Sequence, residues 1–221
     1  MPVSDADEYD LHNSSNQGAQ EAHRMKLYDL DISGNCYRVR LLLALLNVKH
    51  EVVRVDLMKG EHRQPSFLKL NPRGQLPVLE DDGTVVWDSM AILVYLARKY
   101  GNERWLPLDA APMAEVMQWL GVMENETLYG LSRARLVSKF KFPGNLEEAQ
   151  SLGRKGLGVL EQRLASHDWL ALDHLTIADV ACFPYVALAP EGEIALDPYP
   201  GVQRWIERIK QQPGFVGMPG I

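Results

Sequence analysis

The fold class predicted from this sequence is an α/β domain followed by an all-helical domain. Two observations predict it. Between Lys26 and Tyr100, strand-like and helix-like runs alternate. Beyond a stretch from Asn102 to Ala111, where Pro107 and Pro112 bracket Leu108 to Ala111, apolar residues recur only at helical spacing. A third observation bounds the size: 221 residues, 46% of them hydrophobic and 24% charged, suffice for one large or two small cores of ordinary globular type. We place the parts at 1–24 (a polar extension), 25–101 (α/β), 102–111 (linker) and 112–221 (helical).

Residues 1–24 hold Asp5, Asp7, Glu8, Asp10 and Glu21 against Arg24, with few aliphatic side chains. Such a segment buries too little apolar surface to offset its ordering, so a flexible extension is expected. It carries −4 of the net charge of −6, and the nearly balanced remainder suggests neither nucleic acid nor an anionic membrane as partner. Met25, just before the first strand-like run, could be an alternative start. Lys26 to Asp29 reads as a strand and Asp31 to Asn35 as a loop. Cys36 to Leu46 is helical in period, with Val39, Leu42, Leu43 and Leu46 on one face, and Asn47 tolerates the left-handed conformation that ends helices. Glu51 to Val55 is a second strand, and strand–helix–strand order implies a parallel pair. Asp56 to Ser66 is polar and irregular, and Phe67, Leu68 and Leu70 form a short helical turn. Pro77 to Glu80 and Thr84 to Trp87 are β-rich runs around Asp81-Asp82-Gly83, where glycine supplies the positive φ of a tight hairpin. Asp88-Ser89 then opens a helix with Ile92, Leu93 and Leu96 on one side, Arg98 and Lys99 in its last turn and Gly101 beyond. The order β-α-β-α-β-β-α is a thioredoxin-like pattern.

Met113 to Phe142 reads as one long helix or two, ended by Pro143-Gly144. Leu146 to Ser166 is another, with Leu152, Leu157, Leu160 and Leu164 toward a core. Thr176-Ile177-Ala178-Asp179 reads as a capping box, in which Thr176 accepts from the Asp179 N–H and the Asp179 carboxylate reaches back to the Thr176 N–H. Leu175 and Val180 are placed for the accompanying hydrophobic staple. The helix it starts, Ala178 to Ala189, is apolar nearly all round and should be central and buried. Pro200 to Gln212 is a last short helix.

The stretch from Asn71 to Tyr100 carries most of the polar chemistry. A cis bond at Leu76-Pro77 would turn the N–H and C=O of Leu76 toward an extended peptide ligand. Ser89 suits an N-cap, and a helix N-terminus also receives carboxylates; Asp88 beside it could hold an ammonium. Each feature also has a plain structural meaning, as a trans bond, a cap or a partner for the helix dipole. Together they offer partners for the backbone, carboxylate and amine of a small peptide.

Leu76-Pro77, Asp88-Ser89 followed by Ala91-Ile92, and the box Thr176 to Asp179, in this order and spacing, resemble the cytosolic glutathione transferases. The resemblance covers nearly all of residues 25–221, and the run from Val55 to Leu79 is most similar to the theta class and related bacterial enzymes. It implies that Leu76 holds the cysteinyl backbone of glutathione, while Asp88 and Ser89 take its γ-glutamyl ammonium and carboxylate. His62 and Arg63 would approach its glycine end, Arg63 as a carboxylate fork, or would simply belong to a solvated loop. Gln75 stands where the theta pattern often has lysine, so one charge for that carboxylate is missing. Ser33 falls at the catalytic serine position. Its hydroxyl would donate to the glutathione thiolate and lower the thiol pKa from about 8.5, with help from the helix dipole; otherwise it only caps the helix. Asn35 could donate a second hydrogen bond to the sulfur. Cys36 is the rival, through a mixed disulfide with glutathione, although a buried cysteine is more often a small hydrophobe. Met117, Trp119, Met123, Tyr129 and Arg133 are candidates for an electrophile pocket between the domains, although helical spacing alone more often means core.

The implied protein is thus a cytoplasmic, homodimeric detoxification enzyme. Glutathione is its co-substrate, and it acts on a small electrophile or peroxide without a metal. A glutathione-dependent disulfide reductase or dehalogenase centred on Cys36 or Asn35 is a second possibility, and a non-catalytic interaction module with the same fold a third. The six histidines show no metal-ligand spacing. Two cysteines, Cys36 and Cys182, imply no disulfide framework and fit a reducing compartment. No run of about 18 apolar residues suggests a membrane span, and the start shows neither the basic region nor the apolar core of a signal peptide.

Overall fold

In the computed structural model, which describes residues 25–221, four strands form one sheet in the order β2-β1-β3-β4. The extension expected over residues 1–24 lies outside the described residues. β1 (Met25–Asp29) pairs in parallel with β2 (Glu51–Arg54), because α1 (Gly34–Leu45) crosses over between them. β3 (Val78–Asp81) is antiparallel to β1, and β4 (Thr84–Trp87) to β3. Asp82 and Gly83 both take positive φ, 47° and 81°, which matches the right-handed strand twist at a two-residue hairpin. Asn47, just past α1, is also left-handed at φ 54°.

Alternation along the strands divides two layers. Leu27 and Leu79 belong to the main core with α1 and α3 (Ser89–Lys99), whereas Tyr28 and Val78 meet Phe67 of α2 (Pro65–Leu68) in a small separate cluster. Asp29 is fully buried at the end of β1 and is neutralised by Arg40 of α1 and Arg54 of β2, which pins the crossover helix to the sheet.

The second half is helical. α4 begins at Ala110, inside the stretch read as linker and ahead of the helix start read at Met113. Pro112 sits in its first turn, where the missing N–H costs no helical bond, so the proline marks an entry and not a break. α4 (Ala110–Val122) runs through a π-helical segment, Met123–Ser132, into α5 (Arg133–Ser138) without interruption. α6 (Leu146–Leu164), α7 (Ile177–Ala187) and α8 (Pro200–Lys210) complete this half. The capping box forms: the Thr176 N–H donates to Asp179 at 3.0 Å, and the Thr176 hydroxyl accepts from the first-turn amides. Every residue from Ile177 to Val186 is buried, so α7 is the central helix, packed against α1, α3 and α4. Asp179 also accepts from Leu170 N at 3.0 Å and from the indole of the buried Trp205 at 2.9 Å, which joins α7 to α8.

Candidate functional site

A cleft of about 590 Å³ opens between the sheet domain and the helices. Its floor is the N-terminus of α1. That helix starts at Gly34, two residues before the predicted Cys36, with Ser33 as its N-cap in extended conformation. Ser33 Oγ accepts from Cys36 N at 3.3 Å. Its O–H rotates and can turn to the cleft, which Ser33 lines with Asn35. Cys36 points the other way. It is completely buried and outside the cleft lining, and burial pushes its thiol up to about 12 despite the Ser33 hydrogen bond. Tyr185, from α7, forms the facing wall: a Cβ on Gly34 would lie 2.6 Å from its ring, so only glycine admits the ring here.

The second wall is the loop before β3. Asn71 is buried and organises it, donating to Gln75 O at 2.8 Å and accepting from Arg73 N at 2.9 Å. Gly74 has φ 59°, and a Cβ there would lie 3.1 Å from the His62 carbonyl oxygen. The loop brings Arg73, Gln75, Leu76 and Pro77 to the cleft, with the Leu76–Pro77 peptide cis, and His62 reaches it from the 3₁₀ turn Glu61–Arg63.

At the start of α3 the cap is Asp88, not Ser89. Asp88 Oδ1 accepts from Met90 N at 2.9 Å, and its φ of 76° is a strained conformation of the sort found at ligand sites. Arg73 Nη1 reaches Asp88 Oδ2 at 3.1 Å. Ser89 becomes the first helical residue and is 5% exposed, its Oγ accepting from Arg38 Nη1 at 3.4 Å. Both Asp88 and Ser89 line the cleft.

Of the other predicted residues, Tyr129 lines the cleft at 64% exposure, while Arg63 is exposed in a 3₁₀ turn outside it. Arg133 is also outside and donates to Pro143 O at 2.7 Å. Met117, Trp119 and Met123 do not line it either. Arg135 takes the place read for Arg133, because the i→i+5 bonds of the preceding π segment put more residues in each turn and rotate the facing of the residues after it. Arg135 is held by Glu191 at 2.5 Å and by the carbonyl of Ile32, next to Ser33, at 2.8 Å. Leu128, Leu136, Phe140 and Phe142 make this end apolar. Glu124 also faces the cleft; partial burial raises its carboxyl pKa, and the charge of Asp88 adds to this. Arg73, Glu124 and Arg135 escaped the sequence reading, and the only signal for Arg73 was its turn sequence Pro72-Arg73-Gly74. Among the described residues, no three His, Cys, Asp or Glu side chains are grouped to hold a metal ion.

Comparison with known proteins agrees with this fold. Residues 23–98 match the glutathione S-transferase N-terminal domain family, and residues 135–213 the C-terminal domain family. Glutathione S-transferase D7 of Anopheles gambiae is 34% identical over 193 residues, 84% of this chain and 86% of that one. Maleylacetoacetate isomerase of Pseudomonas aeruginosa is 32% identical over 199 residues, 86% of this chain and 93% of that one. The crystal structure of a possible glutathione S-transferase from Rhodopseudomonas palustris, 35% identical, superposes with a TM-score of 0.81 over 88% of this chain and 97% of that one. With both domains matched in order over most of its length, the chain belongs to the glutathione S-transferase family and is a glutathione transferase.

Proposed function

We propose that this transferase is of the serine type, with Ser33 donating its O–H to the sulfur of bound glutathione and holding it as the thiolate. One observation carries this reading: Ser33 caps α1 and lines the cleft, its oxygen accepting from Cys36 N, so that its O–H can turn to a ligand in the cleft. Donation to the charged form lowers a thiol pKa, and the helix N-terminus adds a favourable dipole. Asn35 supplies a second donor beside it. Glutathione lies along the loop wall in this reading. Its cysteinyl backbone meets Leu76, its γ-glutamyl ammonium meets Asp88 and its carboxylate meets Ser89. Its glycine end lies toward His62 and Gln75, with Arg63 at the rim.

The thiol proton leaves to solvent, and the sulfur lone pair then forms the new bond to an electrophilic carbon as the leaving group departs with its electrons. The apolar end near Phe140 and Phe142 takes that electrophile, with Tyr129 at its edge. We take the working form to be a cytoplasmic homodimer, as the family resemblance implies. A mixed-disulfide chemistry through Cys36 gains no support, because the thiol is buried away from the cleft.

The test is the conjugation of glutathione to a chlorodinitrobenzene by Ser33→Ala, Asn35→Ala and Cys36→Ala. Ser33→Ala is expected to lower kcat/KM roughly 100-fold, the usual cost of one donor to a developing anion, with KM for glutathione little changed. Cys36→Ala should stay near wild type. Full activity in Ser33→Ala, or abolition by Cys36→Ala alone, would count against the serine reading.

A further inference from the structure

Arg38, in the second turn of α1, is completely buried. A buried guanidinium is costly unless paired, and this one is not. Among the described residues, its Nη1 donates to Ser89 Oγ at 3.4 Å and to Met123 Sδ at 3.0 Å. Its Nε and Nη2 meet no acceptor. The guanidinium carbon lies 5.4 Å from the centre of the Tyr185 ring. None of these partners carries a negative charge, while arginine stays protonated in proteins. Asp88 and Glu124 act on Arg38 through space, and both line the cleft.

Among the described residues, two groups touch both the buried charge and the cleft, the Tyr185 ring and the hydroxyl of Ser89, and of these the hydroxyl accepts a hydrogen bond from Arg38. Because Ser89 Oγ accepts from Arg38, its own proton is directed to another acceptor. A carboxylate seated at Ser89 faces Glu124 and Asp88, and the one cation at the cleft wall there among the described residues, Arg73, is already paired to Asp88 at 3.1 Å. We propose that Arg38 is the buried counter-charge of the ligand carboxylate received by Ser89, acting through the Ser89 hydroxyl as a positioning residue. This rests on the glutathione reading above, in which that carboxylate belongs to the γ-glutamyl end. The arrangement separates two like-shaped ends of one ligand: Asp88 and Glu124 favour the ammonium, and Arg38 behind Ser89 favours the carboxylate.

The test is calorimetric titration of the full chain with two ligands, glutathione and 4-aminobutyryl-cysteinyl-glycine. The second keeps the amine and lacks only the γ-glutamyl carboxylate. The variants are Arg38→Met, Arg38→Gln and Arg38→Lys, each also in a Ser89→Ala background. Arg38→Met should weaken glutathione binding at least about tenfold, as expected when one partner of a buried charge pair is truncated, and should leave binding of the analogue unchanged. Arg38→Gln, which keeps polarity and most of the volume, should show the same selective loss if Arg38→Met does not fold. Arg38→Lys should recover part of it. In Ser89→Ala the effect of Arg38→Met on glutathione should shrink, since the two act as a unit. Equal loss for both ligands would show a merely structural role and overturn the proposal, as would unchanged glutathione binding in Arg38→Gln. A wild-type protein that binds neither ligand would instead overturn the glutathione reading itself.

Discussion

At the N-terminus of α1, Ser33, Asn35 and Cys36 differ in exposure. Ser33 and Asn35 open to the cleft, whereas Cys36 packs behind the helix. Burial pushes the thiols of both Cys36 and Cys182 up to about 12, so neither is appreciably ionised near neutral pH. Ellman's reagent at pH 8 should therefore modify neither cysteine in the native protein and both after denaturation; fast native modification of Cys36 would contradict its placement. Much of the site was legible here because its residues lie in short local motifs. Leu76-Pro77, Asp88-Ser89 and Ser33 are each read from two or three neighbours. Arg38 and Arg135 were not, because their importance comes from partners 51 and 56 residues away, Ser89 and Glu191. Asp88 and Ser89 exchanged expected roles as cap and first residue, since both can cap and only the backbone, with Asp88 at φ 76°, decides between them.

Among the elements, α7 depends on one carboxylate. Asp179 accepts from Thr176 N, Leu170 N and the Trp205 indole, all within buried structure. Asp179→Ala orphans these three donors and the Thr176 hydroxyl, each at a cost of about 1–3 kcal/mol, so a loss of roughly 3 kcal/mol or more is expected in urea denaturation. A loss under about 1 kcal/mol would mean that water replaces the carboxylate without penalty. α1 is equally exacting at Gly34, where the Tyr185 ring occupies the space of a side chain. Gly34→Ala should cost about 1–3 kcal/mol by overpacking and displace Tyr185 from the cleft wall, seen as lowered Tm with lowered conjugation rate. The box and the apolar run were both plain in the sequence, and so was the burial of α7. The π segment was not, because i→i+5 bonding has no compositional signature, and Arg133 was read at the cleft where Arg135 stands.

Across the whole molecule, the two domains meet at the loop that carries Ser33. Arg135 of α5 holds the Ile32 carbonyl at 2.8 Å, and Glu191 holds Arg135 and Lys139 in turn. Burial works against the Glu191 carboxylate, yet the hydrogen bonds from Lys139 and Arg135 keep its pKa below the ordinary 4.5. A carboxyl depressed in the folded state stabilises the fold fully above its unfolded pKa and loses that contribution as pH falls through the folded value. Glu191→Gln should therefore be less stable than wild type at pH 6, with the gap closing below about pH 4.5; a gap independent of pH would show that the tie is not ionic. The central claim, that Ser33 sets the thiolate across this joint, is tested most directly by ultraviolet thiolate absorbance of bound glutathione as a function of pH. The thiol pKa is predicted to lie well below about 8.5 in wild type and to return toward that value in Ser33→Ala. The same depressed pKa in Ser33→Ala would contradict it.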